Sequence, residues 1–370
     1  MTTQTTTTAA VLREQGGALS LETVDVARPG KGEVLVRMVG VGICHTDLGV
    51  IAAPAEGQLP IVLGHEGSGI VEAVGDGVST VKAGDRVALS YASCGHCDIC
   101  DRGLPMHCRE FIGRNLVGAR VDGTSPLSVD GDPVLGAWFG QSSWSGLSIT
   151  NERNCVVVGD DVPLELLGPL GCGIQTGAGA VLNTLAPEPG SSIAVFAVGS
   201  VGLAAVLAAQ AADCGAIIAV DIDDARLERA RELGATHTVN SAQVDAAQAI
   251  VEITDGLGAQ YSVDCIGLPD AVRAALECLQ TPGVCASVGF QGLPNEIAID
   301  QGHLLFGRTL IGVIEGDAVP QEFVPRMLDL YRQGRFPFDD LITPYPFTSI
   351  NEALDDVHHG KVTKAVLTFE

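Results

Sequence analysis

The spacing of apolar and polar residues changes along the chain and predicts two kinds of sheet. In the first half, short alternating runs bounded by glycines predict strands at Val34–Val39, Gly69–Gly75 and Gly84–Leu89. Short strands joined by glycine turns are typical of a small β-barrel. From Ser192–Val198 onwards the runs are continuously apolar, as expected for strands buried on both faces of a parallel sheet. The pattern therefore predicts a β-rich region followed by an α/β region.

The α/β region begins with the order of elements found in a dinucleotide-binding unit. A buried strand, Ser192–Val198, leads through a glycine-rich turn into a predicted helix, Leu203–Ala212, and then into the strand Ala216–Val220, which ends at Asp221. The residues of the turn are Gly199, Ser200, Val201 and Gly202. Glycines in such a turn let a pyrophosphate approach the backbone at the helix N-terminus.

Two details of this unit refine the prediction. Asp221 stands where an acid accepts the ribose hydroxyls, and its charge would repel a 2′-phosphate, so it favours NAD over NADP. Ala197 occupies the position of the first glycine of the usual G-x-G-x-x-G pattern. Strand-like runs continue through Tyr261–Cys265 and Val284–Val288 to about Ile314, and they predict a six-stranded doubly wound sheet.

Composition and charge narrow the class of protein. A chain of 370 residues rich in glycine and aliphatic residues fits two α/β-type domains. Its net charge of −24 argues against nucleic acid or an anionic membrane as a partner. No apolar run reaches the length of a membrane span, and the start lacks the parts of a signal peptide, so we expect a cytoplasmic protein whose first threonines, up to Thr8, are frayed. Eleven cysteines in so long a chain do not require a disulfide scaffold.

Four of the cysteines form the most specific local motif. They follow the spacing C-x₂-C-x₂-C-x₇-C, at Cys94, Cys97, Cys100 and Cys108. Four thiolates in one short loop can surround an ion tetrahedrally, which predicts a structural zinc site. An iron–sulfur cluster is the alternative, but its usual pattern has a shorter last gap followed by proline, where this chain has Arg109.

A second candidate metal site is spread along the chain. His65 and Glu66 lie among glycines, Cys44 follows a predicted strand, and Cys172 lies between two glycines. An ordinary loop pair and two buried thiols would explain these residues equally well. However, Cys44 is followed by a hydroxyl and a carboxylate at Thr46 and Asp47, which together are the parts of a metal-centred proton relay.

Together these motifs resemble the zinc-containing medium-chain alcohol dehydrogenases. The resemblance rests on the following stretches: Cys44–Asp47, Gly64–Glu66, the four cysteines at 94 to 108, Gly171–Gly173, and Val198–Gly202 with Asp221. It implies a Rossmann doubly wound domain that binds NAD, residues 175–314. It also implies a GroES-like β-barrel catalytic domain, residues 1–174 and 315–370, which carries one catalytic and one structural zinc ion.

The same resemblance implies roles for individual residues. Cys44, His65 and Cys172 would hold the catalytic zinc beside Glu66, and Asp47 would orient His65. Thr46 would pass on the proton, although Gly49 stands where many relatives carry a relay histidine. His45 and Lys364 would face the pyrophosphate, and Arg226 would flank the ribose. The cofactor-binding set is completed by Thr176, Gly199, Ser200, Val201, Gly202 and Asp221.

Further stretches resemble the aryl-alcohol branch of the family: Phe139–Ser143, Glu315–Gln321 and Gly334–Phe338. We therefore expect reversible oxidation of an aromatic or allylic primary alcohol to the aldehyde by a homodimer or homotetramer. Tyr91, Trp138 and Phe139 are candidates for the substrate pocket because of their position and aromatic character.

The sequence leaves three different functions open beside this one. The long segment after Cys108 resembles the insertion of the glutathione-dependent formaldehyde dehydrogenases, which makes such an enzyme the nearest competitor. A zinc-free quinone reductase of the same superfamily is disfavoured, because such chains lack the two cysteine sets present here. A non-catalytic module that binds zinc and NAD is the candidate from a different class, and the hydroxyl of Thr46 beside an open zinc position argues against it.

Overall fold

The computed structural model describes residues 5–292 and 294–369, which form two compact units. The first unit comprises Met1–Cys172, Val319–Pro325 and Leu341–Glu370, and the second comprises Gly173–Ala318 and Arg326–Asp340. The sequence-based division assigned all of 315–370 to the first unit, whereas residues 315–318 and 326–340 pack with the second. No helix within the described ranges has both the length and the apolar character needed to cross a bilayer.

The strands of the described chain follow in order. They are β1 (Thr5–Leu12), β2 (Ser20–Val26), β3 (Glu33–Gly42), β4 (Ile61–Val62), β5 (Glu66–Val74), β6 (Arg86–Leu89), β7 (Leu127–Val129), β8 (Asp132–Val134), β9 (Leu147–Asn151), β10 (Cys155–Val157), β11 (Ser192–Phe196), β12 (Ala216–Asp221), β13 (His237–Asn240), β14 (Ala259–Asp264), β15 (Leu279–Ser287), β16 (Arg308–Gly312), β17 (Ile342–Pro346) and β18 (Lys364–Thr368).

The α-helices of the described chain are shorter on average in the first unit than in the second. They are α1 (His45–Ala52), α2 (Asp98–Asp101), α3 (Phe111–Asn115), α4 (Gly173–Gly179), α5 (Ser200–Ala211), α6 (Asp224–Glu232), α7 (Ala246–Ile253), α8 (Pro269–Glu277), α9 (Gln301–Leu305), α10 (Pro320–Arg332) and α11 (Ile350–His358).

The first unit is built on two sheets. One has the order β4-β1-β2-β7-β8, and the other has the order β10-β6-β5-β3-β18-β17 with β9 also paired to β3. A core of aliphatic side chains with Trp138, Phe139 and Trp144 is buried within this unit. The C-terminal strand β18 pairs antiparallel with β3, which brings the end of the chain next to the loop that follows β3. This pairing positions Lys364 beside the candidate metal site.

Two sequence-based expectations for the first unit were wrong in detail. Of the threonines expected to be frayed, Thr2 and Thr3 lie outside the described residues, whereas Thr5–Thr8 begin β1 and pair with Thr23–Val26 of β2. Turn signals predict a loop-like segment from Arg109 to Trp144, but the structure has the helix α3 and the hairpin β7-β8 there. The strands β7 and β8 have three residues each, and β8 contains Pro133. Their alternation of apolar and polar residues is therefore too short to be recognised from the sequence.

The second unit contains a six-stranded parallel sheet, which confirms the predicted doubly wound fold. Its strand order is β13-β12-β11-β14-β15-β16, with every neighbouring pair parallel. Strands β11 and β12 are almost entirely buried, as their continuous apolar sequence predicted. The helix α5 follows β11 through the glycine-rich turn, so the carboxyl end of β11 lies next to the N-terminus of this helix.

Candidate metal and nucleotide sites

Three potential metal ligands from distant parts of the first unit meet in one cluster. Cys44 is the N-cap residue of α1, His65 lies between β4 and β5, and Cys172 follows the 3₁₀ turn Gly168–Gly171. The ligand atoms of the three residues all lie within 4.8 Å of one another. The structure thus brings together the three residues that the sequence singled out, and their arrangement fits three of the four positions of a tetrahedral zinc site.

The imidazole of His65 is held in the orientation that a metal ligand needs. Its Nδ1 lies 2.9 Å from Oδ1 of Asp47, and its ring is stacked on Phe139 with 4.3 Å between the ring centroids. Its Nε2 is buried and has no hydrogen-bond partner among the described residues. A buried polar nitrogen without a partner costs about 1–3 kcal/mol, which a metal ion at Nε2 would offset. This nitrogen, facing two thiols, is the observation that best fits a metal.

Asp47 joins the metal ligands to the wall of aromatic residues. Besides His65, its Oδ1 accepts hydrogen bonds from Trp138 Nε1 at 2.9 Å and from the backbone N–H of Gly64 at 3.2 Å. Its Oδ2 accepts a bond from the backbone N–H of Cys44 at 3.3 Å. One buried carboxylate therefore fixes the backbone next to two ligands, the tautomer of the His65 ring and the position of Trp138. The contact with His65 agrees with the orienting role expected for Asp47.

The charges of the cluster act in opposite senses on its two titrating ligands, favouring ionised Cys44 and protonated His65. A hydrogen bond with the Cys172 thiol and the charge of His65 lower the pKa of the Cys44 thiol well below its usual value, in spite of burial. Burial alone would lower the pKa of His65, but the charges of Asp47 and Cys44 outweigh it and raise that pKa well above its usual value. These directions favour a thiolate at Cys44, which is the form that binds a metal, whereas a metal at Nε2 would have to compete with a proton on the His65 ring.

Glu66 and Lys364 form a buried ion pair beside the cluster. The ammonium of Lys364 lies 2.9 Å from both carboxylate oxygens of Glu66 and 3.0 Å from the carbonyl oxygen of Ile43. Burial disfavours the ammonium, but Glu66 and Cys44 raise the pKa of Lys364 to about 12. The resemblance implies that Lys364 faces a pyrophosphate. In the structure, however, the three N–H groups of its ammonium point at protein oxygens.

Two further residues, Gln141 and Gly64, support the His65 segment, and neither of these contacts was predicted from the sequence. Gln141 is fully buried, donates to the carbonyl oxygen of His65 at 2.9 Å and accepts from the backbone N–H of Gly67 at 3.1 Å. Gly64 has a φ of 84°, and a β-carbon there would lie 2.3 Å from Trp144 Cδ1. Only glycine fits this position. The separation of Gln141 from His65 along the chain gives no signal of their contact.

The predicted relay and pocket residues surround the cluster unevenly. Thr46 Oγ1 lies 3.6 Å from Cys44 Sγ, so its hydroxyl is beside the ligands, while His45 is exposed. A β-carbon on Gly49 would meet no atom within 4 Å, so the position of the missing histidine is open.

Of the aromatic candidates for the substrate pocket, Trp138 contacts Asp47 and Phe139 contacts His65. Tyr91 instead packs against Phe111, with 5.8 Å between the ring centroids.

The four-cysteine loop forms a separate cluster that fits a tetrahedral ion. The sulfur atoms of Cys94, Cys97, Cys100 and Cys108 all lie within 4.8 Å of one another. Backbone N–H groups point at these sulfurs over 3.3 to 3.5 Å, from residues 94, 96, 97, 100 and 110. Such donors stabilise thiolates, and those of Arg109 and Cys100 lower the pKa of Cys97 to about 6. His96 stays exposed, with Nδ1 2.9 Å from the carbonyl oxygen of Cys94, as expected for a loop residue.

The glycine-rich turn of the second unit leaves room for a phosphate group. Gly199 is the N-cap residue of α5, and a β-carbon on it would meet no atom within 4 Å, so the space over the helix N-terminus is open. A β-carbon on Gly202 would lie 2.2 Å from the carbonyl oxygen of Ala197, so close packing of helix and strand requires glycine there. Ala197 itself has a φ of 65°, the conformation that a glycine adopts without strain. The turn thus keeps its shape although its first glycine is alanine.

The other predicted cofactor residues also lie in the second unit, apart from His45 and Lys364. Asp221 ends β12 and is buried, with its carboxylate accepting bonds from the backbone N–H groups of Val198 at 2.9 Å and Ile222 at 2.8 Å. The bond from Val198 holds the acid next to the start of the glycine-rich turn. Arg226 is exposed on α6, and Thr176 is half-buried in α4. Whether these residues bind a nucleotide stays a prediction.

Comparison with known proteins gives concordant matches over nearly the whole chain. A family model described as zinc-binding dehydrogenase matches residues 200–333, and one described as alcohol dehydrogenase GroES-like domain matches residues 30–137. Geraniol dehydrogenase of Castellaniella defragrans is 49% identical over 367 residues, which cover 98% of this chain and 97% of that protein.

Two solved structures are similar in fold as well as in sequence. An alcohol dehydrogenase zinc-binding domain protein from Burkholderia ambifaria has a TM-score of 0.96 at 46% identity, covering 99% of this chain and 100% of that one. Benzyl alcohol dehydrogenase from Acinetobacter calcoaceticus has a TM-score of 0.95 at 43% identity, with the same coverage.

Proposed function

Because the chain belongs to the zinc-binding medium-chain alcohol dehydrogenases, we propose that it oxidises an allylic or aromatic primary alcohol to the aldehyde with NAD as the hydride acceptor. The alcohol dehydrogenase activity follows from the family. The observation that supports the catalytic centre most strongly is the buried, unpartnered Nε2 of His65 facing the thiols of Cys44 and Cys172.

We propose that these three residues hold a catalytic zinc ion and that the four-cysteine loop holds a structural one. When bound, zinc would supply a Lewis acid that lowers the pKa of an alcohol, and NAD would supply the hydride acceptor. The protein residues prepare the site for this chemistry. Asp47 keeps a proton on Nδ1 of His65, so that Nε2 is the ligating atom.

Thr46 is our candidate for taking the proton from the alcohol. Its hydroxyl is next to Cys44 and half-buried, and it can both accept and donate a hydrogen bond. Because Gly49 offers no side chain for the next step, the proton would pass to water, to the exposed His45 or to another group. Trp138 and Phe139 cover His65 and keep water from one side of the ligands.

The preference for aromatic or allylic alcohols is supported by the wall of aromatic residues and by two relatives, one named geraniol dehydrogenase and one named benzyl alcohol dehydrogenase. The test is a steady-state comparison of geraniol, benzyl alcohol, 1-butanol and formaldehyde with glutathione. We expect kcat/KM for geraniol or benzyl alcohol to exceed that for 1-butanol by at least about tenfold. Highest activity with formaldehyde and glutathione would replace this proposal by the glutathione-dependent alternative. Absence of NADH formation with every alcohol would support the non-catalytic module.

We propose NAD rather than NADP as the cofactor because of Asp221. An Asp221→Gly variant should shift the ratio of kcat/KM values towards NADP, since the repulsion of a 2′-phosphate is removed. Asp221→Asn removes the charge but keeps an oxygen that can accept a hydrogen bond from Val198 or Ile222. It therefore separates the effect of the charge from the loss of these structural bonds. An unchanged NAD/NADP ratio in both variants would contradict the proposed role.

A homo-oligomer, dimer or tetramer, is also proposed. The strand β16 is terminal in the six-stranded sheet, and the neighbouring Leu305 and Phe306 are 67% and 72% exposed. Exposed apolar residues beside a terminal strand are typical of an interface. Sedimentation equilibrium tests this proposal, and a monomer at micromolar concentration would contradict it. The expected cytoplasmic location remains a prediction.

A further inference from the structure

Lys364 is a lysine with an unusual environment, because its ammonium is buried and all of its donors are used inside the first unit. Its side chain is 1% exposed, and that of its partner Glu66 is 0% exposed. The three N–H groups of an ammonium match the three acceptors found here, the two oxygens of Glu66 and the carbonyl oxygen of Ile43. None of these donors is left over for a cofactor phosphate.

The acceptors belong to the two segments that carry metal ligands. Ile43 directly precedes Cys44, and Glu66 directly follows His65. Lys364 reaches both segments from the C-terminal strand β18, which pairs with the end of β3. A single ammonium thus links the backbone next to one ligand with the side chain next to another. We propose that Lys364 is a positioning residue that holds the Glu66 carboxylate away from the catalytic metal and fixes the spacing of Cys44 and His65.

The Glu66 carboxylate also fits closely against the neighbouring strand β3. Gly42 lies opposite Glu66 in the β3-β5 pairing, and a β-carbon on Gly42 would lie 1.9 Å from Glu66 Oε2. The carboxylate therefore occupies space that only glycine leaves open. Glu66 directly follows His65, and the same ammonium joins its carboxylate to the carbonyl oxygen of Ile43 next to Cys44, so the carboxylate lies beside the ligand segments.

A carboxylate in this position is itself a suitable zinc ligand. Without the ammonium, the Glu66 carboxylate would lose its buried cationic partner, and a cation bound at the ligand cluster would offer it a new one. Three protein ligands leave one position for a substrate oxygen, and a fourth ligand from Glu66 would close it. Lys364 would therefore keep the site open. This inference rests on the proposed catalytic metal site.

Cadmium-113 NMR of the full-length protein loaded with cadmium can test the inference independently of turnover. The two proposed sites differ in their number of sulfur ligands, so the wild type should give two separate resonances. In Lys364→Met, the resonance of the Cys44, His65 and Cys172 site should shift, because an oxygen ligand is added. The four-sulfur resonance should stay in place as an internal reference. The affinity of the first site for cadmium should also change, by about 10- to 100-fold.

Three variants separate positioning from a general effect on packing. Lys364→Arg keeps the charge and should restore the wild-type resonance. Glu66→Gln with Lys364→Met removes both charges and should also restore it, because no carboxylate remains. Lys361→Met removes an exposed lysine nearby that is paired with Asp355 and Asp356, and it should change nothing.

The outcomes distinguish this inference from the proposed function. A wild type with only the four-sulfur resonance would reject the catalytic metal site itself. Two wild-type resonances with no shift in Lys364→Met would reject the positioning role alone. If Lys364→Met does not fold, Lys364→Gln is read in the same way. If neither Lys364→Met nor Lys364→Gln folds, but Glu66→Gln with Lys364→Met does fold, then Lys364 only neutralises a buried charge. That result would reject the inference.

Discussion

The two cysteine clusters of the first unit are assembled in opposite ways. The four-sulfur cluster uses ligands between positions 94 and 108, and its sulfurs accept hydrogen bonds from backbone N–H groups of the same loop. The other cluster draws its ligands from positions 44, 65 and 172, and these are held by buried side chains that connect distant segments, among them Asp47 and Lys364. One is a local motif, and the other is a product of the whole fold.

This difference corresponds to a difference in chemistry. Four sulfurs complete a tetrahedral shell, so an ion in the loop can stabilise the fold but has no position for substrate. Three ligands leave a position open, and orienting them then requires support from remote side chains. The comparison predicts that substitutions in the assembled cluster change activity, whereas substitutions in the loop change stability.

The largest expected effect is that of Cys172→Ser. Serine is a poor zinc ligand, so we expect the metal content to fall from two ions per chain to one. Activity should fall at least about 1000-fold, because a catalytic metal supplies several kcal/mol to the reaction. Mass spectrometry measures the metal content, and steady-state kinetics measures the loss of activity. Two metal ions per chain with full activity would exclude Cys172 from the site.

A loop substitution, Cys97→Ser, should give the reverse result. Loss of a structural metal is among the most destabilising single changes, at about 4 kcal/mol or more. We therefore expect a clear fall in the thermal midpoint, measured by circular dichroism, while kcat of the folded fraction stays within about threefold of the wild type. A loss of activity as large as that of Cys172→Ser, at an unchanged midpoint, would remove the distinction between the two clusters.

The same contrast explains what the sequence could and could not predict. The loop was recognisable because its ligands share one short motif, and the βαβ unit was recognisable because strand, turn and helix are consecutive. The bond from Trp138 to Asp47 joins residues 91 positions apart, and the bond from Lys364 to Glu66 joins residues 298 positions apart. No local spacing encodes such contacts, since they follow from strand pairing such as that of β18 with β3.

An intermediate effect is expected for Asp47→Asn. The substitution removes the negative charge that fixes the proton on His65 Nδ1. The amide also keeps only one of the two oxygens that accept hydrogen bonds from Trp138, Gly64 and Cys44. Metal affinity should fall by about 10- to 100-fold, as measured by competition with a chromophoric chelator. Asp85→Asn, which affects a turn carboxylate bound by Lys82, is the matched control and should leave the affinity unchanged. Equal affinities of the Asp47 variant and the wild type would mean that the carboxylate does not orient the ligand.

The smallest effect should come from Cys155→Ala, which tests whether a cysteine outside both clusters contributes to either. Burial raises the pKa of the Cys155 thiol to about 12, and its Sγ lies 3.7 Å from the carbonyl oxygen of Asn151. Cys155 lies in none of the groups of potential metal ligands among the described residues, so the metal content and kcat should equal those of the wild type. The free energy of unfolding should fall by about 1 kcal/mol, because one sulfur is removed from the core. A lost metal ion in this variant would show that the β10 strand contributes to a metal site. The division into a local and an assembled cluster would then be incomplete.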